Sequence, residues 1–359
     1  EVVVINESEA EAYYEAANEL YDMYCEAGEH VIENNLFHEL DIPFNLIELV
    51  KISWEDDVHW HLYGRFDLAG GLDGKPIKLI EFNADTPTAV FETSIIQWAM
   101  LKYNNLEESS QFNSLYEALK DNFKRFITLN SDIEDFDKHY EKLNWKILFS
   151  SIAGNAEEEH TVKLLQHIAT EVGYKTEFAY IDDVEFSDDG ISKGDELFEF
   201  WFKLIPWEDI GIDEGGLGVI LTEILNNKKA IIFNPAYTLM FQSKGIMKVL
   251  WDLYPNHPLL LETSFEPLEN TKQVEKMCFG REGANVAIVN EDNSLDIKTD
   301  GDYGNFKPIY QEYVEFPQDS NGDHYQAGVF YSYEACGLGF RKGGKILNDT
   351  SKFVGHIVN

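Results

Sequence analysis

Cysteine and basic residues are scarce in this sequence, and each shortage excludes a class of protein. The three cysteines, Cys25, Cys278 and Cys336, are odd in number and widely spaced, so neither a disulfide framework nor a CxxC zinc site is predicted. Lysine and arginine number 28 against 65 aspartates and glutamates, which gives a formal charge of −37. Because nucleic acids bind through lysines and arginines that neutralise phosphates, we expect no nucleic-acid partner. Most of the acid is expected on the solvated surface, and it tolerates a cationic partner.

Long apolar runs and a secretory leader are also missing. No apolar run approaches the about 20 residues that a membrane-spanning helix needs, and the N-terminal segment is acidic rather than basic and then apolar. We therefore expect no membrane partner and, given the few cysteines, a place in the reducing cytoplasm. The dinucleotide fingerprint GxGxxG is not found, because the glycine-bearing segments at 150–158 and 337–344 follow other spacings.

What is present predicts a globular protein with more than one core. Hydrophobic residues make up 44% and aromatic residues 14% of the 359-residue chain, so two or three subdomains are expected. Residues 8–35 repeat apolar side chains at helical spacing, with Ser8 and Glu11 as a predicted capping box. An acidic stretch at 132–137 is interpreted as a boundary between subdomains.

From Trp145 onward the pattern changes to strand, helix and strand with short connections. KILFSSI at 146–152 and KTEFAYI at 175–181 read as strands, and the amphipathic segment between them reads as a helix. Such a βαβ unit predicts a parallel sheet. The aromatic run at 197–207 is expected to lie in the core, and a strand within 230–240 closes this Rossmann-like unit.

Two short runs joined by a glycine-rich turn form the first candidate site. YGRFDL and IKLIEFNA read as a β-hairpin or as two neighbouring strands. Side chains two apart share one face of a strand, so Arg65 and Asp67 project together, as do Glu81 and Asn83. Such a face suits a hard cation such as Mg²⁺, which holds phosphate oxygens, beside a guanidinium that contacts a phosphoryl group. An exposed hairpin with alternating polar residues fits the spacing equally well.

A second candidate site lies in VEKMCFGREGANVAIV at 274–289, which reads as strand, glycine-bearing turn and strand. Gly280 and Gly283 permit close approach of the backbone, so successive N–H groups can face a triphosphate. Lys276 adds a charged donor at the end of the first strand. A GxxG segment between strands is often only a hairpin turn, so the residues alone leave both interpretations open.

These segments resemble the glutathionylspermidine synthase family, the permuted ATP-grasp carboxylate–amine ligases. The resemblance begins with RFD and IEFNADTP in the hairpin, and further segments of the chain are also similar to the family: QFNSL at 111–115, LYPNHP at 253–258, GREGANV at 280–286 and GLGFR at 337–341. Together they cover most of the chain from about residue 10 to the end.

The resemblance implies catalytic and metal-binding roles in the hairpin and near the C-terminus. It places Mg²⁺ ligands, for two ions, on Asp67, Glu81 and Asn83. It also implies that Arg65 and Arg341 contact the transferred phosphate from opposite sides.

The resemblance implies a nucleotide site for ATP on residues from the second half of the chain. The family has two lysines, a glycine-bearing loop and a hinge around the nucleotide, which here correspond to Lys244, Lys276, Gly280, Gly283, Gln311 and Glu312. Where the family commonly has Lys-Pro, this chain has Lys276-Met277, which changes the stiffness of the backbone but keeps the lysine.

The fold implied by the resemblance is an α+β or α/β fold of the ATP-grasp type in permuted order. The metal-binding hairpin then precedes the lid, whereas ordinary ATP-grasp chains place the metal ligands last. The expected divisions are N-terminal helices with the hairpin at 1–143, a Rossmann-like pre-ATP-grasp unit at 144–238, a lid at 239–300 and C-terminal strands completing the core at 301–359.

The implied reaction joins a peptide or glutathione-like carboxylate to an amine such as spermidine through an acyl phosphate, with ADP and phosphate as products. Two alternatives stay open: a ligase of the same fold with unrelated small-molecule substrates, and a non-catalytic nucleotide-binding protein. No cysteine–histidine amidase module of the bifunctional members is seen, so we expect the synthetase domain alone, without hydrolysis of the conjugate. The sequence begins at Glu1 and the family usually begins earlier, so we expect a missing N-terminal piece.

Overall fold

Helices and strands alternate along the computed structural model, which describes residues 1–106, 110–132, 145–348 and 350–359. The helices are α1 (Glu7–Asn34), α2 (Ile47–Glu55), α3 (Gln97–Tyr103), α4 (Leu115–Asp132), α5 (Ala156–Val172), α6 (Trp207–Asp213), α7 (Gly215–Asn226), α8 (Thr238–Gln242) and α9 (Ile246–Leu253). Within these residues, no helix combines the length and the apolar character needed to cross a membrane. The predicted boundary at 132–137 falls, after residue 132, outside the described residues.

The strands come from both ends and the middle of the chain, which confirms the predicted mixed α/β class. They are β1 (Val3–Ile5), β2 (Gly64–Ala69), β3 (Lys78–Asn83), β4 (Lys146–Ser151), β5 (Lys175–Tyr180), β6 (Glu185–Ser187), β7 (Gly190–Lys193), β8 (Glu196–Phe198), β9 (Phe200–Lys203), β10 (Ile231–Phe233), β11 (Thr263–Ser264), β12 (Gln273–Met277), β13 (Ala287–Val289), β14 (Leu295–Lys298), β15 (Pro308–Glu312), β16 (His324–Ser332), β17 (Glu334–Gly343), β18 (Lys352–Val354) and β19 (His356–Val358).

The central sheet has the order β18-β17-β16-β2-β3 and is antiparallel throughout. The predicted pairing of the two runs around the glycine-rich turn is confirmed, with Arg65 opposite Asn83 and Asp67 opposite Glu81. A bulge lies on β3 at Ile80, between the Asp67–Glu81 and Leu68–Leu79 pairs. Because β16 lies directly beside β2, residues from the C-terminal quarter of the chain reach the same sheet face as the hairpin.

Helix α1 covers one face of this sheet. It begins one residue before the predicted start, and Asn6 with Glu9 forms the capping box, so the prediction of Ser8 and Glu11 was wrong. Both pairs match the sequence pattern, but Ser8 already lies within the first helical turn. The ring of Tyr24 packs against Phe66 and Phe82, which stack with 3.8 Å between centroids. The apolar side chains of β2 and β3 therefore face α1, and the polar ones face away from it.

A parallel sheet of order β10-β9-β4-β5 forms a second layer and confirms the predicted βαβ unit. Helix α5 connects β4 to β5 and buries its apolar side against the sheet. All four residues of β9 are buried, as expected for the aromatic run.

A third, antiparallel sheet has the order β11-β15-β12-β13-β14 and packs against the edge strand β3 of the central sheet. The Leu79 amide of β3 donates a hydrogen bond of 2.8 Å to the Leu259 carbonyl just before β11. The Lys276 ammonium on β12 donates to the Ile80 carbonyl on β3 at 2.8 Å. The polar face of the hairpin and the third sheet thus form the two walls of a cleft.

Candidate functional site

The cleft between the central and third sheets has an empty volume of about 900 Å³. All predicted site residues line it except Arg65 and Asn83, which both form hydrogen bonds with the lining residue Asp67. A smaller adjoining pocket of about 270 Å³ contains Arg65 together with Asp67 and Arg341. The structure therefore brings together residues that are up to 276 positions apart in the sequence (Arg65 and Arg341), since β2 and β17 both pair with β16.

Arg65 and Asp67 form a buried, two-point ion pair on β2. The Arg65 Nε–Asp67 Oδ1 distance is 2.6 Å and the second guanidinium contact, Nη2 to Oδ2, is 3.0 Å. The remaining Nη1 donates to the carbonyl of Thr88 at 3.0 Å. Burial alone would lower the pKa of Arg65, but the Asp67 carboxylate outweighs this effect and raises it. The guanidinium is thus charged and held in one orientation.

The absence of a side chain at Gly328 leaves space for the Arg65 side chain. Gly328 on β16 lies opposite Asp67, and a Cβ built on Gly328 would stand 3.0 Å from Arg65 Cδ. Such a separation is tighter than nine in ten real Cβ contacts, so a larger residue would require the Arg65 side chain to shift. No local pattern around Gly328 indicated this requirement.

Asn83 links the two carboxylates of the hairpin. Its Nδ2 donates to Asp67 Oδ2 at 3.1 Å and approaches Glu81 Oε1 at 3.4 Å. Its amide nitrogen, not its oxygen, therefore faces the carboxylates in this arrangement. Among the described residues, no group of three or more His, Cys, Asp or Glu side chains is placed to hold a metal ion.

The donor set of the hairpin nevertheless fits Mg²⁺. This ion keeps several waters and is usually held by one or two carboxylates together with substrate phosphates, not by a cage of protein ligands alone. Asp67 and Glu81 provide the two carboxylates directly opposite each other on paired strands. Rotation of the Asn83 side chain by half a turn would present its amide oxygen as a further ligand.

Two lysines stand beside Glu81 in the cleft. Lys244, just before α9, lies 3.3 Å from Glu81 Oε2 and donates to the Gly280 carbonyl at 2.8 Å. Burial would raise the pKa of Glu81, but Lys244 and Lys276 reverse the shift and lower it to about 2. Burial lowers the pKa of Lys276 to about 8, against the opposing attraction of Glu81. Glu81 is therefore ionised at neutral pH.

The two loop glycines differ in what they require. Gly283 has φ of +66°, and a Cβ at this position would lie 2.4 Å from the Leu347 carbonyl oxygen. A Cβ built on Gly280 would have its nearest neighbours at 3.7 Å, which is an ordinary van der Waals distance. Gly283 is thus needed for the close approach of the loop to the segment after β17, and Gly280 is not needed on steric grounds.

The two predicted hinge residues, Gln311 and Glu312, lie on β15 and line the cleft. Gln311 is buried, and its side-chain amide approaches the Leu79 carbonyl at 3.4 Å. Glu312 is exposed, and its backbone N–H donates to the Glu262 carbonyl at 2.8 Å. The Glu312 carboxylate is thus open to solvent at the rim.

Arg341 points toward the same sheet face from β17. Its Nη2 donates to the Asn348 carbonyl at 2.7 Å. Arg341 lies opposite Gln326 on β16, and both side chains line the cleft and the smaller pocket. The sequence analysis did not single out Gln326, because a polar residue at one position of a strand carries no local signal.

Further charged residues line the cleft that were not among the predicted site residues. Arg281 makes an ion pair with the buried Glu208 and donates to the Thr86 hydroxyl at 2.8 Å. Lys345 lines the cleft and pairs with Asp296 at 2.8 Å. Arg281 lies within the quoted GREGANV segment, directly after Gly280. Its position next to the loop glycines was the signal in the sequence that could have identified it.

Chemically, the cleft surrounds two carboxylates with an excess of cations. Arg65 contacts Asp67, Lys244 contacts Glu81, and Lys276 and Arg341 donate to backbone carbonyls. Arg281 and Lys345 instead pair with Glu208 and Asp296. Each of these cations can exchange its present contact for an anionic oxygen of a ligand. Such an arrangement suits a polyanion that carries a divalent cation.

Comparison with known proteins gives consistent matches over the whole chain. The sequence model "Glutathionylspermidine synthase preATP-grasp" matches residues 1–359. The chain is 27% identical over 363 residues to a Haemophilus influenzae protein named "Putative acid--amine ligase", covering 97% of this chain and 87% of that protein. It is 26% identical over 358 residues to the bifunctional glutathionylspermidine synthetase/amidase of Escherichia coli K12, covering 91% of this chain and 54% of the enzyme.

More distant similarity extends to trypanothione synthetase of Crithidia fasciculata, with 23% identity over 318 residues, 82% of this chain and 46% of that protein. The chain thus spans about half the length of the Escherichia coli enzyme and of trypanothione synthetase. Among solved structures, a glutathione synthetase-like effector (GSS30) from Globodera pallida matches with a TM-score of 0.58 at 10% identity. That match covers 99% of this chain and 88% of the effector, and it shows a likeness of fold.

Proposed function

This chain belongs to the glutathionylspermidine synthase family, and from that premise we propose that it is an ATP- and Mg²⁺-dependent ligase joining a carboxylate to an amine. Ligases among its relatives support the class of reaction. The observation that carries the proposal is the pair of carboxylates, Asp67 and Glu81, facing a cleft whose other walls supply the cations.

We propose that the fold is a permuted ATP-grasp. The hairpin β2–β3 precedes the third sheet in the chain, which is the order expected for the permuted form. In this proposal residues 1–143 and 301–359 form the core, 144–238 the Rossmann-like unit and 239–300 the lid. Strand β15, although it follows residue 300, lies beside β12 and would extend the lid sheet toward the core.

The nucleotide would lie between the third sheet and the hairpin. Lys244 and Lys276 would hold the phosphates, since both ammonium groups lie beside Glu81 in the cleft. The loop with Gly280 and Gly283 would close over them with its N–H groups. Gln311 and Glu312 would contact the base and ribose at the hinge.

Asp67, Glu81 and Asn83 would hold two Mg²⁺ ions, which neutralise charge on the phosphate oxygens when bound. Glu81 is suited to this role because its pKa of about 2 keeps it ionised at physiological pH. Asp67 holds the guanidinium of Arg65 in place through two hydrogen bonds. The same carboxylate thus orients the arginine and offers lone pairs to a cation.

The reaction would proceed in two transfers. A carboxylate oxygen of the acyl substrate bonds to the γ-phosphorus of ATP as the bond from that phosphorus to ADP breaks. The amine nitrogen then bonds to the acyl carbon, loses a proton, and phosphate leaves with the electrons of its bond to carbon. Arg65 and Arg341 would neutralise charge on the phosphoryl group during the first transfer.

The lid would exclude water from the acyl phosphate, which otherwise hydrolyses. As substrates we propose a peptide or glutathione-like carboxylate and a spermidine-like amine, on the basis of what the relatives' names state. The formal charge of −37 is compatible with a cationic amine. The scarcity of cysteine fits a cytoplasmic location.

Phosphate release from ATP and Mg²⁺ tests this proposal, with thiol peptides and amino acids crossed against polyamines and other amines. We expect release that requires one carboxylate and one amine together. If the productive pair contains neither a thiol peptide nor a polyamine, the chain is a ligase with other substrates. Binding of ADP without turnover for any pair would contradict the ligase and favour a non-catalytic nucleotide-binding protein.

A further inference from the structure

A second large pocket lies on the opposite side of the central sheet from the cleft. It has an empty volume of about 1710 Å³ and is lined by residues of α1, α8, the segment after α2 and the end of β16. Tyr331 of β16 packs at the α1 face beside Phe66, whereas Arg65 and Asp67 project from the other face of β2. This aromatic pocket, as we name it, is therefore separate from the candidate ligase site.

The walls of the aromatic pocket combine aromatic rings with carboxylates. Tyrosines, tryptophans and a phenylalanine make up half of the lining residues, among them Tyr21, Trp54, Trp60, Tyr331 and Tyr333. Within the part of the chain that the structure describes, no lysine or arginine is among the lining residues. Rings present negative π faces that attract cations, most strongly at desolvated sites. The pocket is thus built for a positive charge rather than for a neutral apolar molecule.

The carboxylates of the aromatic pocket are Asp22, Asp56 and Asp57. Asp56 lies 3.7 Å from the Lys228 ammonium, which partly neutralises it. Asp22 and Asp57 are exposed, and neither has an ion-pair partner closer than 4 Å among the described residues. Two carboxylates therefore line the pocket without a cation within ion-pair distance in the described part of the chain.

A cation already stacks on the rim of this pocket. The Arg125 guanidinium carbon lies 3.1 Å from the centroid of the Tyr333 ring, and Trp60 stacks parallel to the same ring with 6.1 Å between centroids. The Trp60 indole N–H donates to Asn122 at 2.6 Å, which fixes the orientation of this ring. The rim thus holds its aromatic faces in place.

His59 supplies the observation that indicates a ligand with N–H groups. It lines the aromatic pocket, is 4% exposed, and neither of its ring nitrogens has a hydrogen-bond partner among the described residues. Burial lowers the pKa of His59 to about 4, so the ring is neutral and keeps one nitrogen as an acceptor. A buried polar group without a partner is costly, and a bound donor would remove that cost.

We propose that the aromatic pocket is a second ligand site, which binds a protonated aliphatic amine through its aromatic rings, Asp22 and Asp57, and the acceptor nitrogen of His59. The ammonium provides the positive charge for the rings and carboxylates and the N–H group for the imidazole. This inference does not depend on the proposed ligase reaction, because none of these residues lies in the cleft.

Calorimetric titration with 1,4-diaminobutane tests the proposal. We expect saturable binding of the diamine, no binding of uncharged 1,4-butanediol, and at least about tenfold weaker binding of tetramethylammonium, which has no N–H for His59 and the carboxylates. Equal binding of the diol and the diamine would overturn the proposal, as would the absence of diamine binding at millimolar concentrations.

Variants separate the aromatic pocket from the cleft. The double substitution Asp22→Asn and Asp57→Asn changes exposed residues without changing their shape, and we expect it to weaken diamine binding at least about tenfold, or about 1.4 kcal/mol. His59→Phe removes the acceptor, fills the same space and should weaken binding while the protein stays as resistant to thermal unfolding as before. Asp67→Asn, in the cleft, should leave this binding unchanged.

Unaltered diamine affinity in the double variant would overturn the assignment. Loss of the same binding event in Asp67→Asn would also overturn it, because the amine would then occupy the cleft. Failure of the crossed phosphate-release assay would leave the diamine result unaffected, so the two proposals can fail separately.

Discussion

Two ion pairs, Glu81–Lys244 and Asp85–Lys203, have carboxylates from the same short segment of the chain but lie in very different surroundings. The Glu81–Lys244 pair spans 3.3 Å in the wall of the cleft, where the Glu81 side chain is 25% exposed. The Asp85–Lys203 pair spans 2.8 Å, and both side chains are completely buried. Burial raises the pKa of Asp85 and lowers that of Lys203, whereas the neighbouring lysines lower the pKa of Glu81.

The two pairs also differ in how many of their polar atoms have hydrogen-bond partners. Both oxygens of Asp85 accept hydrogen bonds, from the Lys203 ammonium and from the Trp207 backbone N–H. Lys203 additionally donates to the Ile205 carbonyl at 2.8 Å. Glu81, in contrast, faces open space and more than one cation. A carboxylate with spare lone pairs beside two cations in an open cleft is suited to a ligand, and one with every atom engaged in a dry interior is suited to holding sheets together.

The largest expected difference between the pairs concerns activity. We expect Glu81→Gln to reduce amine-dependent phosphate release about a thousandfold, because it removes a ligand for the cation that stabilises the transferred phosphate. The protein should remain folded, as judged by circular dichroism. Asp67→Asn should behave in the same way. Turnover equal to that of the unaltered protein would remove the metal-site assignment.

The second expected difference concerns stability. Asp85→Ala leaves the Lys203 charge buried without its partner, so we expect the free energy of unfolding to fall by about 3–5 kcal/mol. Denaturant titration of the variant and of Glu81→Gln measures this difference directly.

The double variant Asp85→Asn with Lys203→Met is the matched control for this effect. It removes both charges and keeps an acceptor for the Trp207 N–H. It should therefore be more stable than Asp85→Ala. A double variant that is less stable than Asp85→Ala would show that the ion pair stabilises the fold by more than the mutual neutralisation of its two charges.

The pH dependence of nucleotide binding tests the role of Lys276, which lies beside Glu81 in the cleft. The pKa of Lys276 is lowered to about 8 by burial, so the side chain is charged well below pH 8 and loses its charge as the pH rises through that value. We expect ADP affinity to be constant between pH 6 and 7 and to fall by up to about tenfold per unit above pH 8. Fluorescence titration from pH 6 to 10 measures it.

Lys276→Arg is the control for the pH dependence, since arginine stays charged throughout this range. Its ADP affinity should change little with pH, even if its absolute value differs. A steep fall above pH 8 in this variant would assign the titration to another group.

The smallest expected effects concern the loop over the cleft. Gly283→Ala should lower the free energy of unfolding by about 1–2 kcal/mol because of its positive φ, and it should raise the KM for ATP several-fold. Gly280→Ala should stay within about 0.5 kcal/mol of the unaltered protein. Equal effects of the two substitutions would contradict the close approach of Gly283 to Leu347.

Local pattern was sufficient to predict the polar face of the hairpin. Alternation along a strand fixes which side chains share a face, so the grouping of Arg65 with Asp67 followed without knowledge of distant contacts. The βαβ unit was also predictable from local pattern, because a strand pattern, a helical pattern and a second strand pattern follow each other with short connections. The capping box was misplaced by two residues because Asn6-x-x-Glu9 and Ser8-x-x-Glu11 satisfy the same pattern.

Contacts between distant segments could not be predicted. Asp85 and Lys203 are 118 positions apart, and nothing local to either indicates the other. Gln326 faces the cleft only because β16 lies between β2 and β17. The aromatic pocket likewise assembles rings from both ends and the middle of the chain. The roles assigned to Arg341, Lys244 and Gln311 rested on resemblance and stay predictions.

The most direct test of the ligase proposal follows one oxygen atom. With the substrate pair found in the crossed assay, the acyl substrate is labelled with ¹⁸O in its carboxylate, and the phosphate produced is analysed by mass spectrometry. An acyl phosphate transfers one carboxylate oxygen to phosphate, so we predict one ¹⁸O atom in each phosphate released. Amide formation with unlabelled phosphate would contradict the proposed mechanism.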